Sequence, residues 1–184
     1  FGVFSHEPNV VVVPPSAATG AAKGARLAMF FTAALPSPRQ VCNCSDGSTS
    51  AGCGTGDTNE GGTYLSWASS PAGPWSAPVL LYIDPVRAGD TNLSPVIRSD
   101  GSLIGIWRKC CHAVPEATGS WPLLAKASHW ADKESYSFGS RWILPELGPL
   151  QPSAEYTPSL GTEDPHLYID SNNRLHAMFH NMAP

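Results

Sequence analysis

One short phrase recurs along the chain, and each time it opens the same kind of segment. It reads His6-Glu7-Pro8, then Leu93-Ser94-Pro95, then Glu163-Asp164-Pro165. Behind the second proline come Val96-Ile97, the pair Asp100-Gly101 and the run Leu103-Ile104-Gly105-Ile106-Trp107. Behind the third come Leu167-Tyr168-Ile169, the polar Asp170-Ser171-Asn172-Asn173 and Leu175-His176-Ala177-Met178-Phe179-His180. In both, an Asp lies five residues past the proline, and a turn separates two runs rich in apolar residues. A unit that returns in the same order is a building block that cannot bury its apolar faces alone, so neighbouring units must stack on it. The repetition also sets acidic groups at equivalent places in successive units.

The rest of each unit reads as strands. Val10 to Val13 and Arg26 to Thr32 are apolar runs, Thr63 to Ser69 alternates in part, and Pro78 to Ile83 follows the turn Ser70-Pro71-Ala72-Gly73-Pro74. The second unit repeats the order with Pro95 to Arg98, Leu103 to Lys109, Leu123 to His129 and Trp142 to Leu144. The third opens at Pro165 and holds two strands. No stretch keeps a 3.6-residue period, so little helix is expected. Four short strands per unit, with units about 70 to 90 residues apart, predict an all-β chain of antiparallel β-propeller blades, part of a five-bladed ring. The boundaries expected are one blade over 4–89, a second over 90–162, the start of a third over 163–184, and a Cys-rich loop insertion over 36–62. Two packed sheets in a sandwich are the alternative all-β architecture.

Charge excludes one class of function. Charged residues make up 14% of the chain and the net charge is −4, whereas a nucleic-acid binder needs a basic face to neutralise phosphates. No apolar run reaches the length of a membrane-spanning helix. The chain opens on Phe1 with no visible leader, as expected of a processed chain or of part of a longer one. In that case, further segments or chains would complete the ring.

The five cysteines are Cys42, Cys44, Cys53, Cys110 and Cys111. Asn43-Cys44-Ser45 is a glycosylation sequon in a Gly/Ser/Thr-rich stretch. Together they point to an oxidising compartment, with secretion or a secretory-pathway lumen as the expected location. Two disulfides and one leftover cysteine are the preferred reading. Thiolates with His112 in a zinc site are the alternative, but no paired CxxC spacing is present, so neither a metal nor a cofactor is expected.

The phrases Ser5-His6-Glu7-Pro8-Asn9, Tyr64-Leu65-Ser66-Trp67-Ala68-Ser69-Ser70 with Gly73-Pro74-Trp75, Asp90-Thr91-Asn92-Leu93-Ser94-Pro95 and Glu163-Asp164-Pro165-His166-Leu167-Tyr168 resemble the five-bladed β-propeller glycosidases. The nearest flavour is glycoside hydrolase family 43. The resemblance covers most of the chain, about two and a half blades of five. It implies a carbohydrate substrate and a triad of carboxylates in a central funnel. One would act as general base, one as general acid, and one would orient the acid and tune its pKa. Glycoside cleavage needs this set, because the leaving oxygen must be protonated while a carboxylate activates water on the opposite face of the ring. The matching positions are Glu7, Asp90, and Glu163 or Asp164, with Glu163 expected as the acid and Asp90 as orienting carboxylate or base. His6, Asn92, Arg108, Asp164 and His180 are the expected substrate contacts. Ser94 departs from the pattern, standing where the family usually carries an acid before the proline.

Each position also has a bland alternative. Asp164 can cap turn amides, Arg108 can be solvated, and Trp67, Trp75 and Trp107 can fill gaps between sheets instead of stacking on sugar. Asp100 and Asp170 read as turn residues, and Asp132-Lys133-Glu134 as a solvated loop. A non-catalytic propeller that binds glycan or builds an extracellular assembly is the competing class.

Overall fold

A computed structural model describes residues 5–38, 59–83, 93–109, 121–142 and 162–181. Among them the chain is all-β. Ten strands form three antiparallel sheets, and three single-turn 3-10 segments are the only helical pieces. The first sheet has the order β1 (Ser5–Val12), β2 (Leu27–Pro38), β3 (Asn59–Ala68), β4 (Val79–Ile83). The second repeats it with β5 (Ser94–Ile97), β6 (Leu103–Lys109), β7 (Trp121–Ala127), β8 (Tyr136–Trp142). The third pairs β9 (Thr162–Ile169) with β10 (Leu175–Asn181).

Three boundaries differ from the sequence reading. β8 covers Tyr136–Trp142 and not Trp142 to Leu144, of which residues 143 and 144 lie outside the described residues. Its period-2 pattern alternates Tyr136 and Phe138 with Ser137 and Gly139, and those small polar residues hid the strand. β2 and β3 run into the stretch 36–62, expected to be a loop insertion, since Pro38 pairs with Asn59. β1 begins at Ser5, so its acid–proline pair lies inside the strand.

The sheets stack face to face, and the middle one is covered on both sides. Toward the first sheet, Leu103, Trp107, Leu123, Ala125 and Ala127 join Phe30, Ala28 and Leu65 in the main core. Toward the third, Ile106 packs with Leu167, flanked by Val96, Leu124 and Ala177. This double burial is why β6 is apolar at successive positions and lacks the alternation of a strand with one wet face. Tyr82 of β4 stacks on Phe138 of β8, and Trp107 packs edge to face against both, with ring centroids 5.1 and 5.6 Å away. Trp67 meets Trp130 edge to face. Both indoles are therefore gap fillers between sheets.

The connection from β1 to β2 also ties the first two sheets together. Trp130 Nε1 donates to the Ala17 carbonyl at 2.8 Å, and the Trp130 amide donates to Gly101 O. Ser16 Oγ donates to Ser99 O, and Thr19 Oγ1 meets His129 Nε2 at 3.0 Å. Lys133–Ser135 is a 3-10 turn whose Asp132 side chain accepts from the Glu134 amide, and its acidic residues are exposed.

Tyr136 hydroxyl donates to the Trp130 carbonyl, and burial pushes its pKa well above the ordinary tyrosine value. A raised folded-state pKa means that the neutral phenol contributes stability below the unfolded value and that this contribution is lost as pH rises past it. The urea midpoint is therefore expected to start falling near pH 10, where unfolded tyrosine ionises, and to go on falling toward the higher folded value. Tyr136→Phe is expected to flatten that slope and to cost about 1 kcal/mol near neutrality through the lost hydrogen bond.

Candidate functional site

The acid–proline phrase marks the same irregularity in the first and third sheets. In β1, His6 pairs with Thr32 and Asn9 with Phe30, so Glu7-Pro8 takes one residue more than its partner strand. In β9, Glu163 pairs with His180 and His166 with Met178, so Asp164-Pro165 does the same. Proline cannot donate to a ladder, and a bulge absorbs it. The middle sheet departs here as it did in sequence. Ser94 and Pro95 pair regularly with Ile106 and Gly105. Gly105 permits this close pairing, because a Cβ there would lie 2.8 Å from Leu93 Cδ1.

Ser94 has taken on a bonding role. It is buried, and its hydroxyl accepts from the Leu167 amide of β9 at 2.9 Å. One unit earlier, Asn9 Nδ2 donates to the Leu93 carbonyl at 3.0 Å. The first strands of the three sheets, β1, β5 and β9, are thus joined in series by residues within the recurring phrase or next to it. Ser94→Ala is expected to leave the Leu167 amide without its partner and to destabilise the chain by roughly 1–3 kcal/mol, read as a lower urea midpoint.

The chemistry-bearing residues can be placed as follows. Glu7 is the third residue of β1 and Glu163 the second of β9, so both sit at the N-terminal ends of first strands. His6 and Asp164 flank them, Arg108 is near the end of β6, and His180 lies opposite Glu163 in the ladder. For these six residues the backbone is described and the side chains are not. Asp90, Asn92, the sequon Asn43 and all five cysteines, Cys42, Cys44, Cys53, Cys110 and Cys111, lie outside the described residues. No cluster of His, Cys, Asp and Glu able to hold a metal occurs among the described residues, and no helix there is long and apolar enough to cross a membrane.

A cavity of about 930 Å3 opens at the other ends of the same strands. It is walled by Val11, Val12, Pro95, Ile97, Leu167 and Tyr168, while Arg98, Ser99, Asp100 and Asn173 supply polar groups. The cavity therefore runs along β5 from Pro95 to the turn beyond it and along the C-terminal ends of β1 and β9.

Two hairpin turns frame the cavity. Asp100 Oδ1 accepts from the Ser102 amide and hydroxyl at 2.9 and 2.7 Å. Asp170 Oδ1 accepts from the amides of Asn172 and Arg174 at 2.9 and 2.8 Å. The hydroxyl and amide of Ser102 hold the Asp100 carboxyl below its usual pKa, and the Arg174 amide and His176 imidazole do the same for Asp170. The two aspartates match in sequence but not in structure. The turn closed by Arg98 and Ser102 corresponds to the one closed by Asp170 and Arg174. Gly101 at φ 86° therefore matches Asn173 at φ 60°, in the left-handed region that Gly and Asn tolerate best. β9 runs two residues further past its proline than β5 does, a shift that preserves which face each side chain takes.

Asp170 Oδ2 contacts His176 Nε2 at 2.9 Å, and the His176 ring lies parallel to Tyr168 with centroids 4.8 Å apart. Sequence reading singled out neither Arg98 nor Tyr168. The legible signal for Tyr168 was a large aromatic in a short first strand, a position that the other two units fill with aliphatics. Searches of family models, curated proteins and solved structures return no match to this chain.

Proposed function

We propose that the chain forms part of a five-bladed, carbohydrate-active β-propeller that hydrolyses a glycosidic bond with carboxylates gathered at the N-terminal ends of its first strands. The units 4–89 and 90–162 would be blades, and 163–184 the opening of a third. Glu163 would protonate the leaving oxygen, Asp90 would act as base or orient the acid, and Glu7 would be a further carboxylate in the funnel. His6, Asn92, Arg108, Asp164 and His180 would contact the sugar. The observation that carries this reading is the serial joining of β1, β5 and β9, with Glu7 inside the bulge of β1 and Glu163 directly before the bulge of β9. Bulges re-aim side chains and concentrate beside active sites. The Asn43 sequon and the clustered cysteines support a secretory route with disulfide pairing. The deciding experiment is a screen of aryl glycosides with the wild-type chain and Glu163→Gln. Absence of any turnover by the wild-type chain overturns the hydrolase.

One observation favours a second reading, a glycan-binding or structural extracellular propeller without catalysis. The middle unit carries Ser94 where an acid is expected, and its hydroxyl is committed to the Leu167 amide.

A further inference from the structure

We propose that the buried hydroxyls of Thr32 and Thr63 are positioning groups for His6 and, through it, for the acid–proline end of β1. This role rests on the hydrolase reading, since it serves the end of β1 that carries Glu7.

A polar row crosses the first sheet at this level. His6 of β1 pairs with Thr32 of β2, Thr32 with Thr63 of β3, and Thr63 with Tyr82 of β4. Further along the strands, Asn9 pairs with Phe30 and Phe30 with Leu65. Side chains two apart on a strand share a face, so Thr32 and Thr63 lie on the face where Phe30 and Leu65 enter the main core. Thr32 is 8% exposed and Thr63 1%. Neither is without a partner, as a buried hydroxyl requires.

The middle sheet shows what packing alone selects at these places. Val96 pairs with Ile104 as Asn9 pairs with Phe30. Two residues on, Ile106 pairs with Ser94 and with Leu124, as Thr32 pairs with His6 and with Thr63. Ile106 and Leu124 thus stand in the places of Thr32 and Thr63, and both belong to the apolar cluster around Leu167. Burying a hydroxyl costs free energy that an aliphatic group does not, unless a hydrogen bond offsets it. The first sheet accepts that cost in the one row that carries His6, at the entry to the bulge that holds Glu7.

Directly opposed residues of antiparallel strands have Cβ atoms about 5 Å apart, which brings the Thr32 hydroxyl within reach of an imidazole nitrogen. Thr32 donates to that nitrogen and accepts from the Thr63 hydroxyl behind it, so the row gives the ring one orientation. A bulge re-aims the side chains of its strand, and a ring fixed at its entry holds that aim.

The test uses the full chain and two substitutions of similar shape. Thr32→Val removes the hydroxyl, and Thr32→Ser keeps it. The Cε1–H signals of the six histidines are followed by NMR, with His6 assigned through His6→Gln. Thr32→Val is expected to move the His6 signal and to leave those of His129, His166 and His176 in place, while Thr32→Ser leaves all four in place. On aryl glycosides, Thr32→Val is expected to raise KM about ten-fold with kcat within about two-fold of wild type, and Thr32→Ser to restore KM. Thr32→Val combined with Thr63→Val copies the aliphatic pair of the middle sheet and is expected to keep or raise the urea midpoint. Should Thr32→Val alone not fold, the double variant carries the same NMR readout. A wild-type chain without turnover overturns the hydrolase, and the His6 signal still decides the positioning, so the two failures are told apart. The positioning role is overturned if the His6 signal stays in place without the Thr32 hydroxyl, if Thr32→Ser moves it as far as Thr32→Val does, if KM is unchanged in an active Thr32→Val, or if the double variant lowers the urea midpoint.

Discussion

Trp130→Ala is expected to lower the unfolding free energy by about 3–5 kcal/mol, the range for truncating a buried large aromatic. Trp130 has no exposed surface, and its ring fills the junction between the first two sheets, edge-on to Trp67 with centroids 6.0 Å apart. Truncation removes the transfer free energy of the indole and leaves a cavity that the flanking sheets cannot close, because each is held by its own ladder. The Ala17 carbonyl also loses its 2.8 Å donor, worth about 1 kcal/mol. Urea unfolding read by far-ultraviolet circular dichroism measures this, with an unchanged m-value confirming that the shift is one of stability. Trp130→Phe is expected to lose less, since most of the ring volume remains. A loss below about 1 kcal/mol for Trp130→Ala would mean that the junction is held by the backbone bonds of its turns and not by the indole.

Glu163→Gln is expected to reduce kcat on aryl glycosides by roughly 10²–10⁴-fold, the contribution of a positioned general acid. The amide matches the carboxyl in size, so a loss of this kind reports chemistry and not folding. It is expected to be smallest on substrates whose phenol is already acidic, because such leaving groups depart without protonation. A loss of the same size across all leaving groups would move Glu163 from the acid role to that of base or orienting carboxylate. Turnover unaffected by the change would remove it from the site.

The sheets were legible where residues of one kind recur. The prolines at 8, 95 and 165, the apolar runs behind them and the turns between them marked three equivalent units, and those units are three sheets with the strand order of the first repeated in the second. β8 is hard to read because Ser137 and Gly139 separate its two aromatics, and Phe138 finds its stacking partner Tyr82 only in another sheet, at 4.4 Å. The match between Asp100 and Asp170 was a coincidence of spacing. Turn geometry is set by which residue can take a positive φ, and that pairs Gly101 with Asn173. At the candidate site, the sequence marked Ser94 as a departure but could not show what it did, because its partner lies 73 residues away in another sheet.

The double burial of β6 has a consequence for how its register is chosen. In a strand with one wet face, slipping by one residue turns the whole apolar set toward water, and hydrophobicity alone forbids it. Leu103-Ile104-Gly105-Ile106-Trp107 has no such safeguard, since either alignment places apolar groups on both sides. Shape must therefore decide what polarity cannot. The gap beside Leu93 and Pro95 admits a residue without a side chain, and the recess beside the stacked rings of Tyr82 and Phe138 admits an indole. Smallest and largest residues, two apart on one face, index the strand as two notches of different width would index a key.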